Sequence, residues 1–407
     1  MAVRVSPPPG PTVAEFFAGI GLVRLGLEAA RFSVVWANDV DPAKRDMYVG
    51  HFDADDGAGG CGFTLGDVAG LTGADMPSGL ALAWASFPCI DLSLAGWRRG
   101  LDGSHSSTFW HFTRILDEMG DRRPPVVTLE NVVGFATSHR GDDLNAAVRE
   151  LNRLGYSVDV LTLDARRFVP QSRPRLFIVG ARDPLASSPA PHSRPAPHSR
   201  PAPANPPAPD SPLRPDWLRA AFSDPTLVTH RAALPAPPPP LAGGMSSLME
   251  RISADDDRWW DHNRTEAFIA SLSPIQVQRL DLLRTGNRFS YRTAYRRTRS
   301  GKPVWEVRAD DISGCLRTAR GGSSKQALVQ AGRGHVRVRW MTPREYARLM
   351  GAPAYRLDGL RRNQALFGFG DAVCVPVVEW LARHYLLPLV SGEMQDDAGE
   401  ALAAAGA

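Results

Sequence analysis

The 407-residue sequence is poor in cysteine and lacks the signals of several common protein classes. Its four cysteines, Cys61, Cys89, Cys315 and Cys374, are far apart and form no C-x-x-C pair. Neither a disulfide framework nor a metal site is therefore predicted. No apolar run approaches the roughly 20 residues of a membrane helix, and residues 1–11 lack the apolar stretch of a signal peptide. We expect a cytoplasmic protein without membrane segments.

Positive charge is concentrated in one part of the chain. The whole sequence carries a net charge of +4, but residues 279–340 alone contain 15 Lys and Arg against four Asp and Glu. Tyr291, Tyr295 and Trp305 lie between these basic residues. Such a concentration is typical of a surface that binds phosphate groups, and the aromatic residues favour a nucleic acid. A solvated basic face is the alternative.

The first 180 residues alternate between apolar strand-like runs and amphipathic helical runs. This pattern predicts an α/β fold with a Rossmann-like, doubly wound and mostly parallel sheet. The predicted strands are 12–16, 34–37, 80–86, 126–129, 157–163 and 175–179, and the predicted helices between them are 22–30, 108–119 and 144–154.

The composition changes after residue 182. Residues 183–215 are rich in Pro, Ala and Ser, with a tandem six-residue repeat, and are predicted to be a flexible linker. The basic stretch 216–339 is predicted to be a smaller mixed domain. Thr342 begins a capping box that starts C-terminal helices over 340–390, including a final one at 375–386, and the alanine-rich 391–407 is predicted to be a disordered tail.

A glycine turn follows the first strand, at Phe17-Ala18-Gly19-Ile20-Gly21. Glycines there allow a ligand to approach the backbone, and an acidic residue about 20 positions later, Asp39, can hold a ribose hydroxyl pair. Asp67, at the expected end of strand three, can accept a hydrogen bond from an adenine amino group. These residues together predict an adenosine-containing cofactor. No Walker-type phosphate loop appears, so hydrolysis of a nucleoside triphosphate is not indicated.

A thiol and a carboxylate follow two other predicted strands. Cys89 ends the segment Phe87-Pro88-Cys89, and Glu130 follows the apolar run 126–129. Taken alone, Cys89 is more readily interpreted as a buried packing residue. The pair at two strand ends can instead face one small substrate from opposite sides.

The motifs resemble, in order, those of the DNA (cytosine-5)-methyltransferases, and the resemblance spans nearly all of residues 12–390. The matching segments are Phe17-Ala18-Gly19-Ile20-Gly21, Asn38-Asp39, Gly66-Asp67, Phe87-Pro88-Cys89, Glu130-Asn131-Val132, Gln171-Ser172-Arg173-Pro174-Arg175, Thr342-Pro343-Arg344-Glu345 and Gly370-Asp371-Ala372-Val373.

The resemblance implies a class I methyltransferase domain, a target-recognition domain and S-adenosylmethionine as the methyl donor. Cys89 would add to carbon 6 of a cytosine flipped out of a specific double-stranded DNA sequence, and Glu130 would serve ring nitrogen 3. Arg173 and Arg175 would orient the base and Cys89, or else form a salt bridge between strands. The cofactor contacts implied are Phe17, Ala18, Gly19, Ile20, Gly21, Asp39, Val40, Asp67, Pro88, Asp371 and Ala372.

The resemblance also implies two groups of DNA contacts. One group lies in the loop that follows the nucleophile; the alternative interpretation is that this is only a basic surface loop. The other group lies in the recognition region, whose arginines would contact either guanine edges or only phosphates. These residues are Ser93, Arg98, Arg99, Arg317, Arg320, Gly321, Gly322 and Ser323.

Three residues depart from the family pattern, and two rival functions remain. Ile90 replaces a common Gln, Leu22 a glycine and Asp371 the usual Asn. An RNA cytosine methyltransferase and a non-catalytic DNA-binding regulator are the rivals. The resemblance implies monomeric action. Three biological settings are open for the protein: restriction–modification together with a partner endonuclease, phage defence together with other defence proteins, or a solitary epigenetic role.

Overall fold

The computed structural model describes residues 10–52, 61–88, 107–182, 211–222, 224–299, 301–317 and 325–393. One sheet contains seven strands in the spatial order β3-β2-β1-β4-β5-β7-β6. Its strands are β1 (Thr12–Phe16), β2 (Ser33–Asp39), β3 (Gly62–Leu65), β4 (Leu82–Ala85), β5 (Val126–Val132), β6 (Tyr156–Asp164) and β7 (Pro174–Arg182). Four helices accompany it: α1 (Leu22–Ala29), α2 (Pro42–Phe52), α3 (Ser107–Glu118) and α4 (Asp142–Arg153).

The predicted α/β class and the mostly parallel sheet are confirmed. The neighbours β3-β2-β1-β4-β5 all pair in parallel, whereas β7 runs antiparallel to both β5 and β6. The inner strands β1, β4 and β5 are almost wholly buried, and apolar clusters fill the space on each side of the sheet. Because parallel strands end at the same edge, the segments that follow β1, β2, β4 and β5 meet there.

The chain that returns after the Pro/Ala-rich stretch covers the edge strand β6. The N–H of Thr162 donates to Leu213 O (2.7 Å), that of Val158 donates to Val228 O (3.1 Å), and that of His230 donates to Val158 O (3.0 Å). These bonds occupy backbone groups that an exposed edge strand would leave open. The part of the chain on both sides of the predicted boundary at 216 therefore packs on the seven-stranded sheet.

A buried carboxylate strengthens that attachment. Asp159 on β6 is fully buried and accepts hydrogen bonds from Arg214 Nε (3.0 Å), the N–H of Ala232 (3.1 Å) and Tyr385 Oη (3.0 Å). Tyr385 lies in a short π-helical turn, Ala382–Leu386. One side chain thus joins the sheet, the returning segment and the C-terminal helices.

The basic region forms a separate antiparallel sheet in the order β11-β10-β8-β9. Helix α5 (Met245–Leu248) precedes α6 (His262–Ala270) and α7 (Pro274–Arg284), and the strands are β8 (Ser290–Arg299), β9 (Lys302–Val307), β10 (Ala327–Gly332) and β11 (His335–Trp340). Its apolar cluster contains three tryptophans in ring contact, Trp260, Trp305 and Trp340. This small core is distinct from the clusters of the larger sheet.

The C-terminal helices pack back onto the large sheet. They are α8 (Pro343–Leu349), α9 (Arg362–Asp371), α10 (Val375–Leu381) and α11 (Leu387–Val390). The predicted capping box is confirmed, with Thr342 at the N-cap and Glu345 at the third position. The sequence did not predict α9. The helical stretch Arg362–Val390 is long and apolar enough to cross a membrane by length and composition, but 72% of its most apolar window is buried.

Candidate active site

The turn after β1 has the shape that a close-lying ligand requires. Phe17, Gly19 and Gly21 all have positive φ, at 56°, 57° and 80°. A Cβ on Gly19 would have no heavy atom within 4 Å, so space is open beside this residue, whereas one on Gly21 would come within 2.4 Å of Phe52. Left-handed backbone at the non-glycine Phe17 is strained, as is common at functional sites. Ala18 and Ile20 complete the turn and are buried.

Asp39 connects this turn to the end of β2. Its carboxylate accepts hydrogen bonds from the N–H of Gly19 and the N–H of Asp41, both at 2.9 Å. Val40, next to it, exposes 65% of its surface although it is apolar. Asp67 lies two residues beyond the end of β3 and accepts from the N–H of Ala69 (2.9 Å). The predicted cofactor residues of the first three strands therefore gather along one edge of the sheet.

Glu15 is a residue that sequence reasoning missed. It lies on β1 just before the turn, is 1% exposed, and has no hydrogen-bond partner for either carboxylate oxygen beyond a weak interaction with the backbone of Arg24. Burial raises the pKa of Glu15 to about 8, assisted by Glu28 and Asp39, while Arg24 opposes the rise. The available signal was an acidic residue inside an otherwise apolar strand.

The segment that precedes Cys89 is fastened to the strand that carries Glu130. The side-chain amide of Asn131 donates to Phe87 O (3.3 Å), and the Phe87 ring contacts Phe135 edge-on with centroids 5.6 Å apart. Pro88 is the last described residue before residue 107, so Cys89 lies outside the described residues. The structure thus places the segment after β4, as far as Pro88, next to the end of β5.

Glu130 and Arg175 form a mostly buried ion pair. Arg175 Nε lies 2.9 Å from Glu130 Oε1, and the two side chains are 13% and 8% exposed. The strands fix this geometry, because β5 and β7 are antiparallel neighbours and Arg175 is opposite Val132. The salt bridge between strands considered for Arg175 is therefore present. It also holds the Glu130 carboxylate at the carboxyl end of β5.

Arg173 makes contacts different from those expected. Its guanidinium is 1% exposed and donates to Leu316 O (2.6 Å), Gly370 O (3.0 Å) and Ala372 O (2.6 Å). Burial lowers the pKa of Arg173, and the nearby Arg175 adds to that effect. These donors are directed to backbone carbonyls from two distant segments, which gives Arg173 a positioning role. The expected orientation of the base by Arg173 stays a prediction.

The loop that carries Arg173 also contacts the segment where the predicted recognition element starts. The N–H of Ser172 donates to Ser313 O (2.9 Å), and the side chain of Gln171 accepts from the N–H of Leu316 (3.2 Å). These bonds place the exposed Arg317 directly after an anchored segment. The other predicted DNA contacts lie outside the described residues: Ser93, Arg98, Arg99, Arg320, Gly321, Gly322 and Ser323.

Asp371 ends α9 at the side of the glycine turn. Its carboxylate lies 2.9 Å from the ammonium of Lys44 on α2. Gly368, in the same helix, packs so closely on Ile20 that a Cβ would approach its side chain to 2.6 Å. The C-terminal motif therefore lies beside the glycine turn. Within the ranges described above, no group of three His, Cys, Asp or Glu side chains could hold a metal ion.

The sequence model of the C-5 cytosine-specific DNA methylase family matches residues 12–386. The chain belongs to this family. Within the methylase family it is 30% identical over 172 residues to the type II methyltransferase M.HhaI of Haemophilus parahaemolyticus, covering 42% of this chain and 49% of that protein. It is 32% identical over 173 residues to M.BanI of Aneurinibacillus aneurinilyticus, covering 41% and 37%. The matches thus span about half or less of the length of these relatives.

Solved structures support the methylase fold over nearly the whole chain. The Dnmt2 methyltransferase of S. pombe aligns with a TM-score of 0.54 at 15% identity, covering 93% of this chain and 98% of that one. A mutant DNMT2 of Spodoptera frugiperda aligns with a TM-score of 0.56 at 16% identity, covering 93% and 99%. At such identities the likeness concerns the fold.

Proposed function

We propose that this protein transfers a methyl group from S-adenosylmethionine to carbon 5 of a cytosine in a specific double-stranded DNA sequence. The observation that carries the proposal is the Glu130–Arg175 ion pair at the carboxyl end of β5, fastened through Asn131 to the segment that leads to Cys89. A carboxyl group held in this way can hydrogen-bond nitrogen 3 at the edge of a pyrimidine ring while a thiol attacks carbon 6 from one face of the ring.

The cleft beside the glycine turn fits an adenosine cofactor. Open space at Gly19 admits a ligand next to the backbone, and the exposed apolar Val40 offers a surface for a flat base. Asp39 supplies a carboxylate for ribose hydroxyls, and the buried Glu15 has capacity for further hydrogen bonds. When bound, S-adenosylmethionine supplies an electrophilic methyl group.

The chemistry assigned to this chain's own residues is nucleophilic catalysis. The thiolate of Cys89 forms a bond to carbon 6 of the cytosine, which moves electron density to carbon 5 while the Glu130 carboxyl hydrogen-bonds or protonates ring nitrogen 3. After carbon 5 is methylated, a base removes its proton and the carbon–sulfur bond breaks, which restores the aromatic ring and Cys89. Arg175 holds Glu130 in place through these steps.

Double-stranded DNA is the substrate that the features favour. The antiparallel sheet carries the basic region, and Arg317 is exposed where this region joins the catalytic sheet. A cytosine must leave the duplex to reach a carboxylate and a thiol at the sheet edge. We propose cytoplasmic action as a monomer, in restriction–modification or another defence setting. RNA methylation is the alternative outcome of the test.

The deciding experiment measures transfer of a tritiated methyl group from S-adenosylmethionine to DNA and, in parallel, to tRNA. We expect labelled ordinary DNA and, on DNA that contains 5-fluorocytosine, whose carbon 5 has no proton to lose, a denaturant-resistant protein–DNA adduct. Both should be lost with Cys89→Ser. Cys61→Ala is the matched control and should retain both, because this buried thiol lies at the amino end of β3, away from the carboxyl ends of the strands.

Bisulfite sequencing of DNA from a methylation-free host then identifies the recognised sequence. Methylation of tRNA alone, or of neither polymer, would refute the proposal.

A further inference from the structure

An ion pair joins helix α2 to helix α9 beside the glycine turn. Lys44 Nζ on α2 lies 2.9 Å from Asp371 Oδ2 at the end of α9, and the two side chains are 22% and 37% exposed. The side-chain amide of Gln364, also on α9, donates to Ala43 O (3.0 Å) beside Lys44. The two helices therefore approach each other at this point, although they are more than 300 residues apart in sequence.

Lys44 also faces the carboxylates that follow β2. Burial lowers the pKa of Lys44, but the charges of Asp371, Asp39 and Asp41 together raise it above its usual value. Asp39 is the residue that accepts a hydrogen bond from the glycine turn through Gly19. One ammonium group is thus placed among three carboxylates, one of which is bonded to the glycine turn.

These charges matter because the methyl donor and its product differ by one charge. S-adenosylmethionine carries a sulfonium cation, whereas S-adenosylhomocysteine carries a neutral thioether. The adenine and ribose contacts are common to both ligands and cancel when their affinities are compared. The ratio of the two dissociation constants therefore reports the electrostatic potential of the cleft, independently of its shape.

We propose that Lys44 and Asp371 form a balanced pair whose two charges act in opposite directions on the preference of this cleft for the sulfonium cofactor over the neutral product. The inference rests on the proposed function and assigns Lys44 to the cofactor site. Asp371 supplies a negative charge that favours the sulfonium, and Lys44 offsets that charge and holds α2 against α9.

The measured quantity is the dissociation constant of the product divided by that of the cofactor. Removing the charge of Lys44 and removing the charge of Asp371 should shift this ratio in opposite directions. Lys44→Gln leaves the cleft more negative and should raise the ratio about two- to fivefold, a size expected for one charge at a partly exposed position. Asp371→Asn leaves it more positive and should lower the ratio about two- to fivefold by the same reasoning. The double variant should return close to the wild-type ratio.

Isothermal titration calorimetry with both ligands on each protein measures these ratios directly. Because both ligands are titrated into one sample, partial loss of folded protein changes the stoichiometry and not the ratio. Arg383→Gln, which breaks the Glu379–Arg383 pair (2.9 Å) on the surface of α10, is the control and should leave the ratio unchanged. Asp371→Asn is isosteric, so the test remains available if Lys44→Gln does not fold.

Two outcomes would contradict the inference and separate it from the proposed function. If the wild-type protein binds both ligands but the ratio stays constant in the single variants, or moves in the same direction in both, the pair has no role in cofactor selectivity. If the wild-type protein binds neither ligand, the proposed function is wrong as well.

Discussion

Replacement of Arg173 by methionine should destabilise the whole protein and not only the active site. Its guanidinium donates to three carbonyl oxygens, those of Leu316, Gly370 and Ala372, at 2.6, 3.0 and 2.6 Å. Each buried acceptor left without a partner costs about 1–3 kcal/mol. Relief from burying the cation offsets part of this loss. We therefore expect the free energy of unfolding to fall by about 3–5 kcal/mol, the range found when one partner of a buried charged network is removed.

Urea unfolding followed by circular dichroism measures this change. Arg173→Lys keeps the charge but loses the planar fork of donors, so its free energy of unfolding should lie between those of the wild type and of Arg173→Met. Arg153→Met, which removes a 52% exposed arginine from ion pairs with Glu150 and Asp117, should cost less than about 1 kcal/mol. If Arg173→Met unfolds like Arg153→Met yet abolishes methyl transfer, the side chain acts on the substrate and our interpretation is wrong.

Three further predictions concern stability measured by chemical or thermal unfolding. Gly26→Ala should destabilise by about 1–3 kcal/mol, because its Cβ would lie 2.6 Å from Val378 Cβ; Gly50→Ala, where space is open, should instead stabilise by up to about 1 kcal/mol. Equal effects would contradict this. Burial raises the pKa of Glu15 to about 8, so stability should fall by up to about 1.4 kcal/mol per pH unit as pH rises from 5 to 8. Glu15→Gln should flatten that decline, and an unchanged slope would refute the assignment. Glu345→Gln should cost about 3–5 kcal/mol because it leaves the fully buried Arg339 without its anion, and a loss below 1 kcal/mol would contradict it.

The sequence predicted best what depends on neighbouring residues. The strand, glycine turn and helix around Gly19 follow from local apolar runs and backbone freedom, and the Thr342 capping box is a four-residue signal. Glu130 was identified as a strand-end carboxylate, but its partner Arg175 could be selected only once β5 and β7 were known to be adjacent and antiparallel.

What the sequence did not predict depends on contacts between distant segments. The carbonyl partners of Arg173 come from residues more than 140 positions away, and no local pattern specifies them. Lys44 carried no signal, because its meaning comes from Asp371 across the cleft. The chain after 211 was assigned to a linker and a recognition domain because its composition hides that it pairs with β6.

The hydroxyl of Tyr355 lies within hydrogen-bond distance of the carbonyl oxygens of Ile20 (2.8 Å) and Met47 (2.9 Å), between which it shares its one proton, across 335 and 308 residues of chain. During synthesis, the glycine turn leaves the ribosome long before the helices that brace it. At the ordinary rate of about 5–20 residues per second, the gap lasts tens of seconds. The proposed methyl-transfer site is therefore among the last parts of the protein to assemble, so a nascent chain carries its strands before this site is complete.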